Sequence, residues 1–465
     1  LYIHKNLPKL FHIIGFSRRD WNQEEFRNHV KKILLSHKDK KRKEDIENFL
    51  SLIAYQNGNF DTPEAYKTLA ESLGIVDDGW NACSNKLFYL AVPPKFYRTI
   101  LENLAESGLT IPCGGDEGWT RILVEKPFGN DLKTAQELDM LLAKLFKEEQ
   151  LYRIDHYLGK DLLQNILEFR FANALFEGQW NREHIKKIEV RILEKLGVEE
   201  RGAFYDGVGA FRDVGQNHLL QMLSLVTMNR PATYEAADVR QKRAEIFSYL
   251  KTPSVEDVKT KTFRGQHKGY SSIKGGNPQS QTETYFKVVT EIENDRWRGV
   301  PIILEGGKKL LPKKEIVITF KALQNSHSKI RELENKIIFS LEPKEEITIE
   351  FWAKKPGHQN TLVLERLNYL FRDERRKLQY IKEYEKLLLD AILGNQLLFV
   401  STPEVQNMWR FTDPIVMGWE KNLTPLQTYE PLKKKILDES LAIEQIENSQ
   451  IKKELGVIGL GKMGG

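Results

Sequence analysis

The N-terminal third of the chain alternates short apolar runs with longer stretches of helical periodicity. That alternation constrains the fold more than any other feature. Phe11-His12-Ile13-Ile14-Gly15-Phe16 reads as a buried strand, followed by a helix through roughly Lys31. Leu87 to Val92 reads as a second buried strand, stopped by Pro93-Pro94, with a helix over Tyr97 to Ser107 after it. Arg121 to Glu125 is a third, ended by Lys126-Pro127 and followed by a helix over Leu132 to Lys147. Strands joined through helices predict a parallel sheet with helices on both faces, an α/β unit of Rossmann type.

Past residue 155 the grammar changes. Lys187–Leu193, Glu283–Ile292, Pro301–Leu304, Glu315–Lys321, Lys336–Leu341 and Glu346–Lys354 show the two-residue alternation of half-buried strands. They lie close together with turn residues between them, which predicts a mostly antiparallel sheet, joined by a helix over Asp213 to Met228. The fold class is therefore α/β plus α+β. We expect a dinucleotide-binding domain over 1–154, a second domain over 155–430, and a linker helix with a further short piece over 431–465. That last piece runs from an apolar strand into G-x-G-x-x-G at Gly459, Gly461 and Gly464, a dinucleotide fingerprint without the helix that should follow it.

Composition removes several classes of function. Seventy basic against 65 acidic residues leave a net charge of +5 over 465 residues, too small an excess to argue for nucleic acid, and the Lys38–Lys43 run reads as a solvated face. No apolar run is long enough to span a membrane, and nothing reads as a signal peptide. Two cysteines, Cys83 and Cys113, are too few for a disulfide framework and suit a reducing cytoplasm. No CxxC or HExxH pattern occurs, so no metal is expected.

Four places carry chemistry. Arg153-Ile-Asp155-His156-Tyr157-Leu-Gly-Lys160 sets an acid, an imidazole, a phenol and an ammonium just before a helical pattern. If the turn is already helical at His156, His156 and Lys160 share one face, and with the helix N-terminus they form a phosphate cradle. His218 lies in an amphipathic helix, where a lone histidine is most often core. Paired with Asp155, it would be an oriented base. Arg18 and Arg19 follow an expected strand of the dinucleotide-binding sheet, where arginine pairs with a 2′-phosphate and favours NADP over NAD. Lys126, restricted by Pro127, closes another strand at the edge where such sheets place ligands.

Together these segments resemble the glucose-6-phosphate dehydrogenase family. The resemblance is carried by Ile14–Asp20, Leu87–Pro94, Val124–Gly129, Arg153–Lys160, Phe169–Asn173, Arg212–His218, Phe263–Gln266, Val300–Leu304 and Lys354–Gly357, in family order over about residues 1 to 425. It implies oxidation of D-glucose 6-phosphate to the lactone with hydride transfer to NADP, the first step of the oxidative pentose phosphate pathway. The alternative is an inactive remnant that binds sugar phosphate or only mediates assembly. The resemblance also implies residue roles: His218 as base and Asp155 as its orienting carboxylate; His156, Tyr157 and Lys160 at the substrate phosphate; Glu194 and Asp213 at the sugar hydroxyls. Lys308 and Lys313 close the pocket, Lys126 lies between substrate and nicotinamide with Pro127 beside it, and Arg18 meets the 2′-phosphate. It implies a homodimer.

Some features depart from the family pattern. The family's first strand and phosphate loop would precede Leu1, so we expect an N-terminally truncated chain with impaired NADP binding. The C-terminal piece resembles the start of 6-phosphogluconate dehydrogenase, as in a fusion. Glu305 stands where a basic or neutral residue is usual. Gly215 replaces a bulkier apolar residue and is expected to cost ~1 kcal/mol against alanine in a helix interior.

Overall fold

The structure, a computed structural model, describes residues 1–36, 43–112, 118–199, 202–322, 333–358, 361–371 and 382–444. Residues 38–42 of the basic run, Cys113, and the glycine fingerprint at Gly459, Gly461 and Gly464 lie outside the described residues. The chain forms two compact units. The first comprises Leu1–Gly129, Lys133–His156 and Ile381–Ser401; the second comprises Asn130–Leu132, Tyr157–Tyr380 and Thr402–Gly465. The chain passes from one to the other inside the octapeptide, between His156 and Tyr157, and helix Glu383–Leu393 returns to the first unit. The described part of the expected linker, up to residue 444, belongs to the second unit.

In the first unit the strands are β1 (Ile13–Ser17), β2 (Ile53–Asn57), β3 (Lys86–Leu90), β4 (Thr120–Glu125) and β5 (Leu151–Ile154). All their mutual pairings are parallel, as the βα alternation requires. The sheet is in two pieces: β1 pairs with β2, and β3, β4 and β5 pair in sequence order, with the short strand Phe399–Val400 antiparallel on β5. Among the described residues β1 and β3 are not paired with each other. This corrects one expectation. Neither β1 nor β3 is a buried strand: β1 has no fully buried residue and β3 only Leu90, because both are sheet edges. The central strand β4, with Ile122, Leu123 and Val124 essentially inaccessible, is buried as expected.

The second unit is built on a nine-stranded sheet. Its strands are β6 (Ile185–Leu193), β7 (Thr262–His267), β8 (Tyr285–Thr290), β9 (Ile302–Gly307), β10 (Lys313–Phe320), β11 (Lys336–Glu342), β12 (Glu346–Lys354), β13 (Leu362–Leu370) and a last strand, Leu426–Tyr429. The spatial order is β13-β12-β11-β10-β6-β9-β8-β7, then Leu426–Tyr429. Pairing is antiparallel except between β6 and β9 and between β7 and Leu426–Tyr429. Ile188, Val190 and Ile192 of β6 are fully buried, and the segment Phe211–Leu219 packs on β6 and β9. That segment is not the expected α-helix: Phe211–Leu219 is a π-helix, and α-helical winding starts only at Leu220 and runs to Thr227.

Among the described residues no helix is long and apolar enough to cross a membrane.

Candidate active site

The second unit holds most of the expected site residues. Strands β6 and β9 run parallel in register, with Leu193 opposite Gly307, so the residues that follow them emerge side by side. Those residues are Glu194 and Lys308. The Lys308 ammonium pairs with the Glu194 carboxylate and lies 2.8 Å from Asp213 Oδ2, which enters from the π-helix. Burial works against the charge on Lys308, but Asp213 and Glu194 outweigh it and hold its pKa above the ordinary lysine value. Lys308 is therefore a fixed cation at neutral pH.

His218 leaves the same π-helix and is only 2 % exposed. Its imidazole lies face to face with the Tyr157 ring, centroids 4.1 Å apart and planes 19° apart. The Lys160 ammonium stands 5.3 Å from the centre of that phenol ring. The octapeptide is not one helical face. His156–Gly159 is a 3-10 turn, closed by Lys160 N–H donating to Tyr157 O at 3.0 Å. Lys160 itself is extended, at φ −72° and ψ 131°, and caps the helix Asp161–Phe171. His156 and Lys160 therefore do not lie one α-turn apart, as their spacing alone allowed.

Lys313 is not brought to this cluster. Its ammonium sits 2.9 Å from Glu315 and its side chain is about half exposed. The neighbouring Lys314, which the sequence reading passed over, lies 3.7 Å from Glu194 and 2.9 Å from Glu342. A β-bulge between Lys314 and Glu315 disturbs the alternation there, so sequence alone gives no way to choose between the two lysines.

The first unit places the other candidates along the carboxyl edge of its parallel strands. Arg18 follows β1, and its guanidinium stands 5.6 and 5.2 Å from the ring centres of Phe60 and Phe96. Lys126 follows β4 through a cis bond to Pro127. Asp155, 2 % exposed, follows β5, and His156 stacks on Tyr384 at 6.0 Å. Beside Lys126, the Glu125 carboxylate accepts the Tyr89 hydroxyl at 2.5 Å and the Tyr384 hydroxyl at 3.4 Å. Burial, reinforced by Glu125, pushes the Tyr384 pKa up to about 12. Tyr384 had no signal in the sequence, since it reaches this edge only through the returning segment.

A parallel α/β unit with cationic residues on its carboxyl edge, followed by an antiparallel-sheet unit carrying an imidazole, two carboxylates and a buried lysine, defines a two-domain nucleotide-dependent oxidoreductase. Comparison with known proteins narrows this. Residues 1–165 match "Glucose-6-phosphate dehydrogenase, NAD binding domain", and residues 167–443 match the C-terminal domain of the same family. A glucose-6-phosphate 1-dehydrogenase of Aggregatibacter actinomycetemcomitans is 39% identical over 427 residues, covering 90% of this chain and 85% of the relative. The cytoplasmic glucose-6-phosphate 1-dehydrogenase 6 of Arabidopsis thaliana is 34% identical over 429 residues, covering 91% and 82%. A solved glucose-6-phosphate dehydrogenase in complex with its substrate glucose 6-phosphate superposes with a TM-score of 0.83 at 31% identity, covering 93% of this chain and 90% of that one. The chain belongs to the glucose-6-phosphate dehydrogenase family. The match to the NAD binding domain starts at residue 1 and gives no support to the expected N-terminal truncation. The C-terminal match ends at residue 443, before the expected stub.

Proposed function

We propose that this chain oxidises C1 of D-glucose 6-phosphate to the lactone. NADP, when bound, supplies the hydride acceptor. One observation carries the reading: a single π-helix presents both His218, stacked on Tyr157, and Asp213, paired with the buried Lys308. His218 takes the proton of the C1 hydroxyl as hydride leaves the same carbon, so C1–H and O–H are lost together and the C=O of the lactone forms. Asp155 orients the imidazole in this reading.

Lys160, Tyr157 and His156 hold the phosphate, remote from the reacting carbon, so that its binding energy supports orientation. Glu194, Asp213 and Lys308 take the sugar hydroxyls. Arg18 suits a ribose 2′-phosphate, since its guanidinium follows β1 and is flanked by two aromatic rings that limit its freedom. Lys126 and Pro127 line the nicotinamide end.

We also read the chain as a homodimer and as cytoplasmic. Strand β13, the sheet edge, exposes Leu362, Leu364, Leu367 and Tyr369, the kind of edge that native proteins cover. A plant relative is named cytoplasmic.

The test is NADPH absorbance with glucose 6-phosphate as substrate. His218→Asn is expected to lower kcat by about 10²–10⁴, the range of general-base catalysis, with KM little changed. Near-normal turnover in that variant would remove His218 from its role.

A further inference from the structure

We propose that Asn217 and Glu283 are positioning residues that hold Phe211–Leu219 in π winding, and that this winding is what lets Asp213 and His218 act on one substrate molecule. The inference rests on the reaction assigned above. Asp213 and His218 are five residues apart. At about 100° per residue an α-helix would separate them by about 140° around its axis, and they would face different surroundings. A π-helix closes i→i+5 hydrogen bonds around a wider turn, so residues five apart return to the same face. Asp213 reaches Lys308 and His218 reaches Tyr157 from one such turn.

A nine-residue π segment is long for a winding that usually occurs as a single-turn bulge, so it needs local support. Asn217, 5 % exposed, supplies part of it. Its Oδ1 accepts the backbone N–H of His218 at 2.6 Å, and its Nδ2 donates to the carbonyl of Arg212 at 3.2 Å. One amide thus serves a donor and an acceptor of the widened turn, each at or beside a site residue. Aspartate could serve only the first.

Glu283 holds the other end. Its backbone carbonyl accepts Ala210 N–H at 2.9 Å and its Oε1 accepts Phe211 N–H at 2.9 Å, so one residue binds two of the amides that open the helix. The carboxylate has room because Gly209, at φ +77°, has no Cβ; one built there would lie 2.2 Å from Oε1. Neither Asn217 nor Glu283 needs to touch substrate to act in this way.

The experiment uses the full chain and three variants: Asn217→Ala, Glu283→Met and Glu283→Gln. Steady-state NADPH formation is measured against pH, with thermal melting and the crystal structure of Asn217→Ala alongside. Asn217→Ala and Glu283→Met are expected to lower kcat by about tenfold to a hundredfold, the cost of displacing a reacting group by about an ångström. The apparent pKa on the acid limb of kcat/KM should move with it, since that limb reports the base. Glu283→Gln keeps the acceptor and is expected to recover most of the loss. In the Asn217→Ala crystal, residues 211–219 should rewind toward α. If Asn217→Ala melts lower but keeps its kcat, pH profile and π winding, the residue is merely structural and the proposal falls. If the unaltered chain forms no NADPH, the assigned reaction fails, while the crystal structure still reports whether Asn217 holds the winding.

Discussion

Gly215 shows how far a residue's meaning depends on its neighbours. As a glycine in a predicted α-helix it counts as a liability against alanine. In the π-helix a Cβ at Gly215 would lie 2.4 Å from the Phe211 ring and 3.0 Å from Phe286, so the missing side chain is what lets the helix seat on the sheet. The sign of the effect reverses. Gly215→Ala is expected to destabilise by about 1–3 kcal/mol through overpacking, read as a lower urea midpoint at unchanged slope. Glu305, the other departure from the family pattern, has an equally local explanation. It accepts the Tyr285 hydroxyl at 2.6 Å and the Arg191 guanidinium at 2.9 Å, and so belongs to the sheet rather than to the pocket. Arg18 tests the cofactor assignment at the same scale. Removing a charge-assisted partner of the 2′-phosphate forfeits about 1.5–3 kcal/mol, so Arg18→Ala should raise KM for NADP by about tenfold to a hundredfold. KM for NAD, which lacks that phosphate, should change little; equal losses for both would detach Arg18 from the 2′-phosphate.

At the scale of elements, the nine-stranded sheet follows two-residue alternation but uses it in an unexpected way. One face of β6 is the apolar core. The other carries Glu189 and Arg191, and it too is largely covered. Arg191 pairs with Glu189, with Glu305 and, at 2.8 Å, with Glu315, while Lys287 reaches Glu444 at 3.0 Å. Alternation reveals which residues share a face, not whether the polar face meets water. Burial disfavours the Glu189 carboxylate, yet Arg191 and Lys187 outweigh it and hold its pKa below the ordinary value. A depressed folded-state pKa contributes stability above the unfolded value of about 4.3, and that stability is lost as pH falls from there through the folded pKa. Glu189→Gln should therefore flatten the fall in urea midpoint between about pH 5 and pH 3; an unaltered slope would show that Glu189 titrates normally. The missed strands have a related cause. Leu362–Leu370 is exposed on both sides of an edge strand, so neither face imposes an apolar period. Thr262–His267 sets Arg264 and Gln266 in positions that alternation reads as solvated, although Arg264 is 2 % exposed and bonded to Thr424 O at 2.7 Å.

At the scale of the whole molecule, β13, the last strand of the sheet among the described residues, bears on assembly. Leu367, 60 % exposed, and Tyr369 make the β13 edge apolar. On the proposed homodimer, replacing both with lysine should shift the sedimentation coefficient from dimer to monomer without lowering the melting temperature of the protomer by more than a few degrees. A double variant that still sediments as a dimer would place the interface elsewhere. The connectivity also has a consequence that no linear reading could supply. Residues 383–400 pair with the first unit through Phe399–Val400 on β5 and through Tyr384 at Glu125, so the first unit is completed by chain more than two hundred residues away.

The division of labour between sequence and tertiary structure follows from the range of the forces. Periodicity, proline stops and the crowded chemistry of Arg153–Lys160 are local, and they are enough to fix the alternating parallel unit, the antiparallel unit and the residue types of the site. Which lysine meets Glu194, why a glycine sits beside Phe211, and the π winding that carries Asp213 and His218 depend on contacts between segments distant in the chain. No local pattern encodes them, because packing space and the partners of buried charges exist only once the chain has folded.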